Sequence, residues 1–456
     1  MGSQGLSGVI EGLRESSARS WILRWAGKPW MPSFVTALLA AVVMGRGLAS
    51  LPLSFDEFFS LSAVVSDPRN ILVHEAPLFP FYAVLWLWTL GGEWTSDVWL
   101  RALSLVSAIG ATAITTQIAR RFGGILVAYV AGLLFVLNPG IQFAARDARP
   151  YALGLLMFVA AALALLRALD RQRLSSWANY SLLLFLATLV MPNGLVYFIV
   201  LVLLYDFLHK NFFVSRAFVL SLIPTALLVV FGVLLYSSAI SSMRASLPSP
   251  RVDWFPTGVI WSGIAEAESY NAPGTMAAIL LVLACLTSPG RRAMWGSLAT
   301  VLLVFLVSLG PSSQWMGRTF ITLIPLLSLA AALGVVKLDR RALTGVLVVT
   351  LLLAVPGYRA IRLPHDSPAD LRLATQIIEQ ESEATDQIFG DGYLGEGRAY
   401  ELAAGLRHYG SKEPLWEVTT EPTRAFWLLY PDYPCVELFS QDVRGGMSLR
   451  RCAAPS

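Results

Sequence analysis

Long apolar runs separated by short polar stretches fill most of the sequence. Most of these runs approach the length of about 20 residues that an α-helix needs to cross the hydrocarbon core of a bilayer. We therefore predict about eleven transmembrane helices, at residues 33–51, 98–119, 123–139, 150–167, 176–191, 194–208, 217–238, 274–289, 294–310, 319–336 and 342–357.

A further apolar run, residues 76–92, decides the topology. If it crosses the membrane, every later basic cluster falls outside; if it lies flat in the interface, all of them fall inside, as the positive-inside rule favours. These clusters are Arg120/Arg121, Arg171/Arg173, Lys210/Arg216, Arg291/Arg292 and Lys337/Arg340/Arg341. Because Trp86, Trp88 and Trp94 also suit the interface, we predict a flat helix, a cytoplasmic N-terminus and an extracytoplasmic C-terminus.

Composition agrees with a polytopic membrane protein. The chain of 456 residues is 55% hydrophobic and 14% charged, whereas soluble proteins carry about 25% charged residues. The net charge is +4, but the basic residues form short clusters between apolar runs, which is typical of loops beside a lipid bilayer. We therefore expect no nucleic-acid partner.

Three parts follow from this topology. Residues 1–32 mix apolar and charged positions and predict a cytoplasmic or interfacial segment rather than a cleavable signal peptide. Residues 33–357 form the transmembrane domain, in which residues 52–97 are a first external loop with interfacial helices. Residues 358–456 form an extracytoplasmic tail. Polar residues other than the basic clusters gather on the external face, in 52–97, 141–149, 191–193, 238–274, 311–318 and the tail.

The tail predicts a small α/β domain. Helical patterns at 367–381 and 397–409 alternate with strand patterns at 386–391 and 424–431. Cys435 and Cys452 both lie in this tail, whereas Cys285 lies in a predicted span. An oxidising compartment would let the two tail cysteines pair; the alternative is two unpaired, partly buried thiols.

Asp56 and Glu57 follow the first predicted span and permit two interpretations. Ser54 and Glu57 have the spacing of a capping box, and acids in a first helical turn favour the helix dipole. Capping does not explain Asp56, however. A carboxylate at the rim of an apolar cavity suits general-base chemistry on an alcohol, and acids at a membrane edge are functional candidates.

A second polar cluster, AARDARPYALGLL at 144–156, opens a predicted span. Arg146 and Arg149 straddle Asp147. Arginine and tyrosine at this depth are typical of interfacial anchors. The functional alternative is a guanidinium pair that holds a phosphate and stabilises it as a leaving group.

Two further positions are weaker candidates. His74 and Glu75 precede the flat helix, where they either form a turn before Pro77 or ligate a divalent ion; two adjacent residues are not a metal signature. Arg318, in QWMGRTFITLIPLL, is an anchor, or a phosphate ligand if it faces the same cavity.

The order of these motifs resembles the GT-C fold glycosyltransferases that use polyprenyl-phosphate sugars. The resemblance is strongest to the branch shared by bacterial protein O-mannosyltransferases and lipid A aminoarabinose transferase, and it covers residues 33 to about 210 and the GRTFITLIPLL region. The segments that carry it are FDEFF, HEAPLFPFYAVLWLW, Trp99-Leu100-Arg101, ARRFGG and ARDARPYAL.

The resemblance implies a role for each candidate. Asp56 would be the catalytic base and Glu57 would orient the acceptor or support Asp56, while Asp147 matches an essential acid of some members. Arg146, Arg149 and Arg318 would bind the donor phosphate. Glu75 with His74 would hold a divalent ion (Mg²⁺ or Mn²⁺) or the donor phosphate, although Glu-Ala-Pro departs from the family pattern, which often has two prolines or Lys-Pro.

The function implied is inverting transfer of a sugar from a polyprenyl-phosphate donor to a lipid, glycan or protein acceptor. The expected location is the outer face of a bacterial inner membrane.

Two other functions remain open. A lipid-linked glycan flippase or transporter would also be polytopic, but it normally places polar residues near the midplane and often contains inverted repeats. An O-antigen-ligase-like enzyme would carry a large late external loop with Arg and His. Residues 238–274 contain Arg244 and Arg251 but no His.

Overall fold

The apolar runs form a bundle of helices, and a mixed β-sheet follows them in the chain. A computed structural model describes residues 28–46, 48–49, 53–65, 79–191, 216–228, 230, 285–288, 291, 295, 321–336, 371–383, 385–389, 402, 405–410, 418–419, 424–429, 435–443 and 447–453. The predicted spans at 194–208 and 342–357 lie outside these residues, as do most of those at 274–289 and 294–310, whereas more than half of the span 217–238 is described.

The helices of the described residues are amphipathic or wholly apolar. In chain order they are α1 (Met31–Gly45), α2 (Phe55–Val65), α3 (Phe79–Trp88), α4 (Asp97–Leu137), α5 (Pro139–Ala144), α6 (Tyr151–Arg171), α7 (Leu174–Val190), α8 (Arg216–Leu228), α9 (Ile324–Val335) and α10 (Leu371–Glu381). Within the described residues, α4 and α6 are long and apolar enough to cross a membrane, and α1, α7, α8 and α9 are shorter apolar helices.

Helix α4 is a hairpin rather than one long rod. Gly124 has φ 77° and ψ −164°, outside the helical region. A Cβ atom on Gly132 would lie 2.5 Å from Thr116 Oγ1, although sixteen residues along a straight helix span about 24 Å. The chain therefore reverses at Gly124, as the separate predicted spans 98–119 and 123–139 require.

Small residues let α1 pack tightly against both arms of this hairpin. The same Cβ position on Gly132 lies 2.5 Å from Thr36 Cγ2, and the hydroxyls of Thr36 and Thr116 are 2.9 Å apart. Small side chains and interhelical hydrogen bonds are the usual means by which membrane helices approach closely. Helix α6 packs on α4 and α7, and α9 packs on α4.

The first loop is folded against the start of α4. Trp88, at the end of α3, stacks on Trp99 with ring centroids 5.0 Å apart. Each indole N–H donates to the other residue's backbone carbonyl at 3.0 Å. Gly92 has φ 90°, and a Cβ there would lie 2.5 Å from Val64 O, so glycine is required where this turn meets α2. These contacts fix α2 and α3 beside α4.

The C-terminal residues form a five-stranded mixed sheet beside α10. Its strands are β1 (Gln387–Phe389), β2 (Val418–Thr419), β3 (Phe426–Leu428), β4 (Glu437–Val443) and β5 (Met447–Cys452), in the order β2-β1-β3-β5-β4. Strand β1 pairs in parallel with β2 and β3, whereas β5 pairs antiparallel with β3 and β4. We call residues 371–453 the C-terminal unit.

Several predicted elements of the tail are confirmed in position. Helix α10 lies within the predicted helix 367–381, and β1 and β3 lie within the predicted strands. Residues 402 and 405–409 are the described part of the second predicted helix, and they are helical. Cys435 and Cys452 form a disulfide, as the pairing alternative predicted.

One sequence boundary was wrong. The first helix ends at Gly45 and not at residue 51, because Arg46 takes an extended conformation with ψ 126°. Most of α5 lies in the predicted external segment 141–149, for which the sequence predicted no particular element. It begins at Pro139 because the Asn138 side chain accepts from the N–H groups of Gly140 and Ile141. The apolar pattern alone does not mark either position.

Candidate functional site

A buried ion pair joins the first loop to α4. Arg101 Nε donates to Glu57 Oε1 at 2.7 Å, and Arg101 Nη2 donates to Glu57 Oε2 at 2.6 Å. The side chains of Arg101 and Glu57 are 5% and 3% exposed. A two-pronged arginine–carboxylate contact fixes orientation as well as distance. The remaining Arg101 group, Nη1, donates to Leu48 O at 3.0 Å.

Glu57 also closes the predicted capping box. The Ser54 N–H donates to Glu57 Oε2 at 2.8 Å, and the Glu57 N–H donates to Ser54 Oγ at 3.3 Å. These reciprocal bonds satisfy backbone donors at the start of α2. The capping interpretation is therefore confirmed for Glu57.

The same carboxylate reaches the second polar cluster. Glu57 Oε1 accepts from the Ala148 N–H at 3.0 Å, and Ala148 lies between Asp147 and Arg149. One side chain thus holds the start of α2, the first turn of α4 and the turn 145–149. The structure brings FDEFF and ARDARP together, two motifs that are 91 residues apart at this contact.

The turn 145–149 is anchored to α1 and α3. Arg146 Nε donates to Met44 O at 3.0 Å and its Nη2 donates to Val43 O at 2.9 Å, so it satisfies carbonyls that the end of α1 leaves without helical partners. Arg149 Nη1 donates to Tyr82 Oη, on α3, at 2.8 Å. Asp147 lies between them and is 5% exposed.

Other predicted site residues are described in part or not at all. The backbone of Asp56 lies in the first turn of α2, but its side chain lies outside the description. His74, Glu75 and Arg318 also lie outside the described residues. Among the residues that the structure does describe, no group of three or more His, Cys, Asp and Glu side chains could hold a metal ion. The divalent-ion site stays a prediction.

A second polar network, centred on Asp97, joins the C-terminal unit to the start of α4. Asp97 Oδ2 accepts from Arg372 Nη2 at 2.6 Å and from the Tyr409 hydroxyl at 3.0 Å. Asp97 Oδ1 lies 2.8 Å from His408 Nε2. A cavity of about 360 Å³ is bordered by these four residues together with Ala49, Ser96 and Val98.

Tyr409 extends this network to the first loop. Its hydroxyl accepts from the Leu53 N–H at 2.9 Å, while burial raises the pKa of the phenol above its usual value. The hydroxyl therefore stays protonated and donates to Asp97. Arg372 lies over the Tyr409 ring at 5.2 Å. Although partial burial disfavours its charge, the hydrogen bond to Asp97 raises the pKa of Arg372.

The far end of the first arm of α4 carries an ion pair that is partly exposed to solvent. Arg121, at the bend of α4, pairs with Asp170 near the end of α6. Twenty-four residues of helix separate Asp97 from Arg121, a distance of about 36 Å. Within the described residues, the Asp97 network therefore lies at one end of the first arm of α4 and the Arg121–Asp170 pair at the other.

Sequence reasoning did not identify Asp97, Arg101, His408 or Tyr409 as site residues. Arg101 offered the clearest signal, because an ionisable residue inside an apolar helix normally has a buried partner. The contacts of Tyr409 join positions 356 residues apart at Leu53, and no periodicity in the chain marks such a pair.

The fold is similar to that of ArnT from Cupriavidus metallidurans. The apo structure of ArnT matches with a TM-score of 0.55 and 13% identity, covering 96% of this chain and 100% of the ArnT chain. ArnT bound to undecaprenyl phosphate matches with a TM-score of 0.54 and 12% identity, covering 93% and 99%. No family model matches the chain, and no curated protein matches it. The chain therefore has the GT-C membrane fold, as predicted.

Proposed function

We propose that this chain is a membrane glycosyltransferase that moves a sugar from a polyprenyl-phosphate donor to a lipid, glycan or protein acceptor. The fold supports the proposal, because ArnT shares it over nearly its whole length and has been determined bound to undecaprenyl phosphate. The concentration of acids and arginines at one end of the bundle supports it independently. We place that end on the outer face of a bacterial inner membrane, with the N-terminus inside and the C-terminus outside.

One contact carries the proposal: the bond from the Ala148 N–H to Glu57 Oε1. It brings the turn that holds Arg149 and Asp147 to the helix turn that holds Asp56. A transferase needs a base for the acceptor and a cationic group for the leaving phosphate within reach of one sugar. In the proposed site, the start of α2 supplies the base, Asp56, and the turn 145–149 supplies the cation, Arg149.

In the proposed reaction, Asp56 accepts the proton of an acceptor hydroxyl or amine. The acceptor atom attacks the anomeric carbon while the bond from that carbon to the phosphate oxygen breaks, so the polyprenyl phosphate leaves with the electron pair and the anomeric configuration inverts. General-base assistance contributes about 10²–10⁴-fold to such a step.

Arg146, Arg149 and Arg318 would bind the donor phosphate. The structure describes two of them: Arg149 Nη1 donates to the Tyr82 hydroxyl, and two nitrogens of Arg146 donate to backbone carbonyls of α1, so the turn 145–149 holds both beside the first loop. Stabilising charge where it develops on the leaving group is usually the largest catalytic contribution. Asp147 would be the second acid of the site.

The proposal is tested with purified protein in proteoliposomes. A panel of radiolabelled polyprenyl-phosphate sugars is supplied together with extracted envelope lipids, glycans and proteins as acceptors, and release of free polyprenyl phosphate is followed. Transfer from at least one donor, with an inverted anomeric centre in the product, is the expected result. If no donor is consumed but labelled lipid crosses the bilayer, the flippase alternative replaces the transferase.

A variant of Arg149 tests the leaving-group role. Arg149→Gln should lower kcat/KM for the donor by about 10²–10³-fold, the usual cost of removing one charge-stabilising donor. Arg167→Gln, an exposed arginine of α6, is the control and should leave kcat/KM unchanged. Equal activity of the two variants would remove Arg149 from the phosphate site.

A further inference from the structure

The Tyr409 hydroxyl is the link between the C-terminal unit and the first loop. It accepts the Leu53 N–H at 2.9 Å and donates to Asp97 Oδ2 at 3.0 Å. Leu53 is fully buried and precedes α2 by two residues. A single hydroxyl from the C-terminal unit therefore satisfies the backbone just before the helix that carries Asp56.

Aromatic contacts strengthen the same link. Phe58, on α2, meets the rings of His408 and Tyr409 edge to face, with centroids 6.2 and 6.3 Å apart. Phe58 is 1% exposed, so these contacts are part of a packed interface. Edge-to-face pairs add specific geometry to the area they bury.

Asp56 lies between two fixed points. On its N-terminal side, Leu53 is held by Tyr409; on its C-terminal side, Glu57 is held by Arg101 and Ala148. A catalytic group must be kept within about 0.5 Å of its productive position, and a misplacement of about 1 Å can cost 10²-fold in rate. The backbone of the segment that carries Asp56 is therefore held on both sides.

We propose that Tyr409 is a positioning residue for Asp56, so that the C-terminal unit is a working part of the transferase site. Asp97 orients the Tyr409 hydroxyl, with Arg372 and His408 on the same carboxylate. The inference rests on the proposed function, in which Asp56 is the base. Without Tyr409 the start of α2 would move more freely and the reacting atoms would align less often.

The test compares Tyr409→Phe with wild type in two measurements. Hydrogen exchange of backbone amides at 53–58 should rise about tenfold, because the variant loses the acceptor for Leu53 while it keeps the ring that packs on Phe58. In the transfer assay kcat should fall about 10–100-fold, with KM for the donor unchanged. Tyr129→Phe, which removes a hydroxyl from the second arm of the α4 hairpin, is the control and should change neither measurement.

Four outcomes separate this inference from simpler ones. Unchanged exchange at 53–58 would overturn it, and so would faster exchange with unchanged kcat. Faster exchange throughout β3 and β5 would also overturn it, since Tyr409 would then only stabilise the C-terminal unit. If exchange rises at 53–58 alone but wild type transfers no sugar, Tyr409 holds the loop as inferred and the proposed function fails instead.

Discussion

The buried carboxylate of Glu57 holds three segments of the chain together. Its two oxygens accept from Arg101, Ser54 and Ala148, and the residue is 2% exposed. A carboxylate removed from water is stable only when such donors replace its hydration. We therefore propose that Glu57 supports Asp56, the second of the two roles that the resemblance implied, and that Asp56 takes the proton.

The burial of the Glu57–Arg101 pair predicts a large loss of stability when Arg101 is replaced. Arg101→Met leaves the Glu57 carboxylate buried without its cation, which should cost about 3–5 kcal/mol in the free energy of unfolding. Arg121→Met is the matched control: the side chains of Arg121 and its partner Asp170 are 37% and 53% exposed, so less than about 1 kcal/mol is expected. Equilibrium unfolding in detergent measures the loss of stability in both variants. Equal losses would contradict the burial of the Glu57–Arg101 pair.

At the scale of elements, the hairpin of α4 sets the position of the site. Its bend at Gly124 returns the chain so that turn 145–149 lies beside the start of α4, where Arg101 holds Glu57. The close approach of α1 at Gly132 keeps the two arms together. The site is thus fixed by helix packing that lies outside it.

Gly132→Leu should disturb this packing. The added side chain would overlap Thr36 and Thr116, whose nearest atoms lie 2.5 Å from a Cβ at this position. Overpacking of this kind costs about 1–3 kcal/mol, measured as a lower free energy of unfolding in detergent. Val106→Leu, on the exposed face of the first arm, should cost almost nothing. Equal stability of Gly132→Leu and wild type would show that α1 does not pack here as described.

The positions of most described helices were predictable from the lengths of the apolar runs. The two arms of α4, α6 and α7 lie where the apolar runs predicted them, since a run of membrane-spanning length has few alternatives to a helix. The end of α1 and the start of α5 did not follow. They depend on Arg46 and on the Asn138 side chain, which are local features that apolar runs do not reveal.

At the scale of the whole molecule, the C-terminal unit is joined to the helical bundle through the Asp97 network. Its sheet is held internally by Asp386, which accepts from Arg451 and from the Trp427 indole, and the hydrogen bond to Asp386 raises the pKa of Arg451. The Cys435–Cys452 disulfide ties the segment before β4 to the end of β5.

Removal of the disulfide should weaken this unit. The double substitution Cys435→Ala and Cys452→Ala opens a loop with a sequence separation of 17, which corresponds to about 3 kcal/mol of lost stability. Hydrogen exchange at β3 and β5 should become faster, and Cys285→Ala, at the remaining cysteine, should leave it unchanged. Identical exchange in the double variant and wild type would contradict a stabilising role for the bond.

The candidate site was partly predictable from sequence. Asp56, Glu57 and the ARDARP cluster are conspicuous because acids and arginines at the ends of apolar runs need a reason to be there. Their partners were not predictable: Arg101 lies 44 residues from Glu57 and Tyr409 lies 356 residues from Leu53. Tertiary packing creates pairs of this kind, and a single sequence contains no pattern that reveals them.

The most direct test of Asp56 as the base is the turnover of Asp56→Asn in proteoliposomes, with Glu93→Gln as a control at an exposed acid of the same loop. Asparagine keeps the shape of the side chain but cannot take the acceptor proton, so we expect kcat to fall by about 10²–10⁴-fold, with melting temperature unchanged. Full turnover by Asp56→Asn would remove Asp56 as the base and overturn the proposed mechanism.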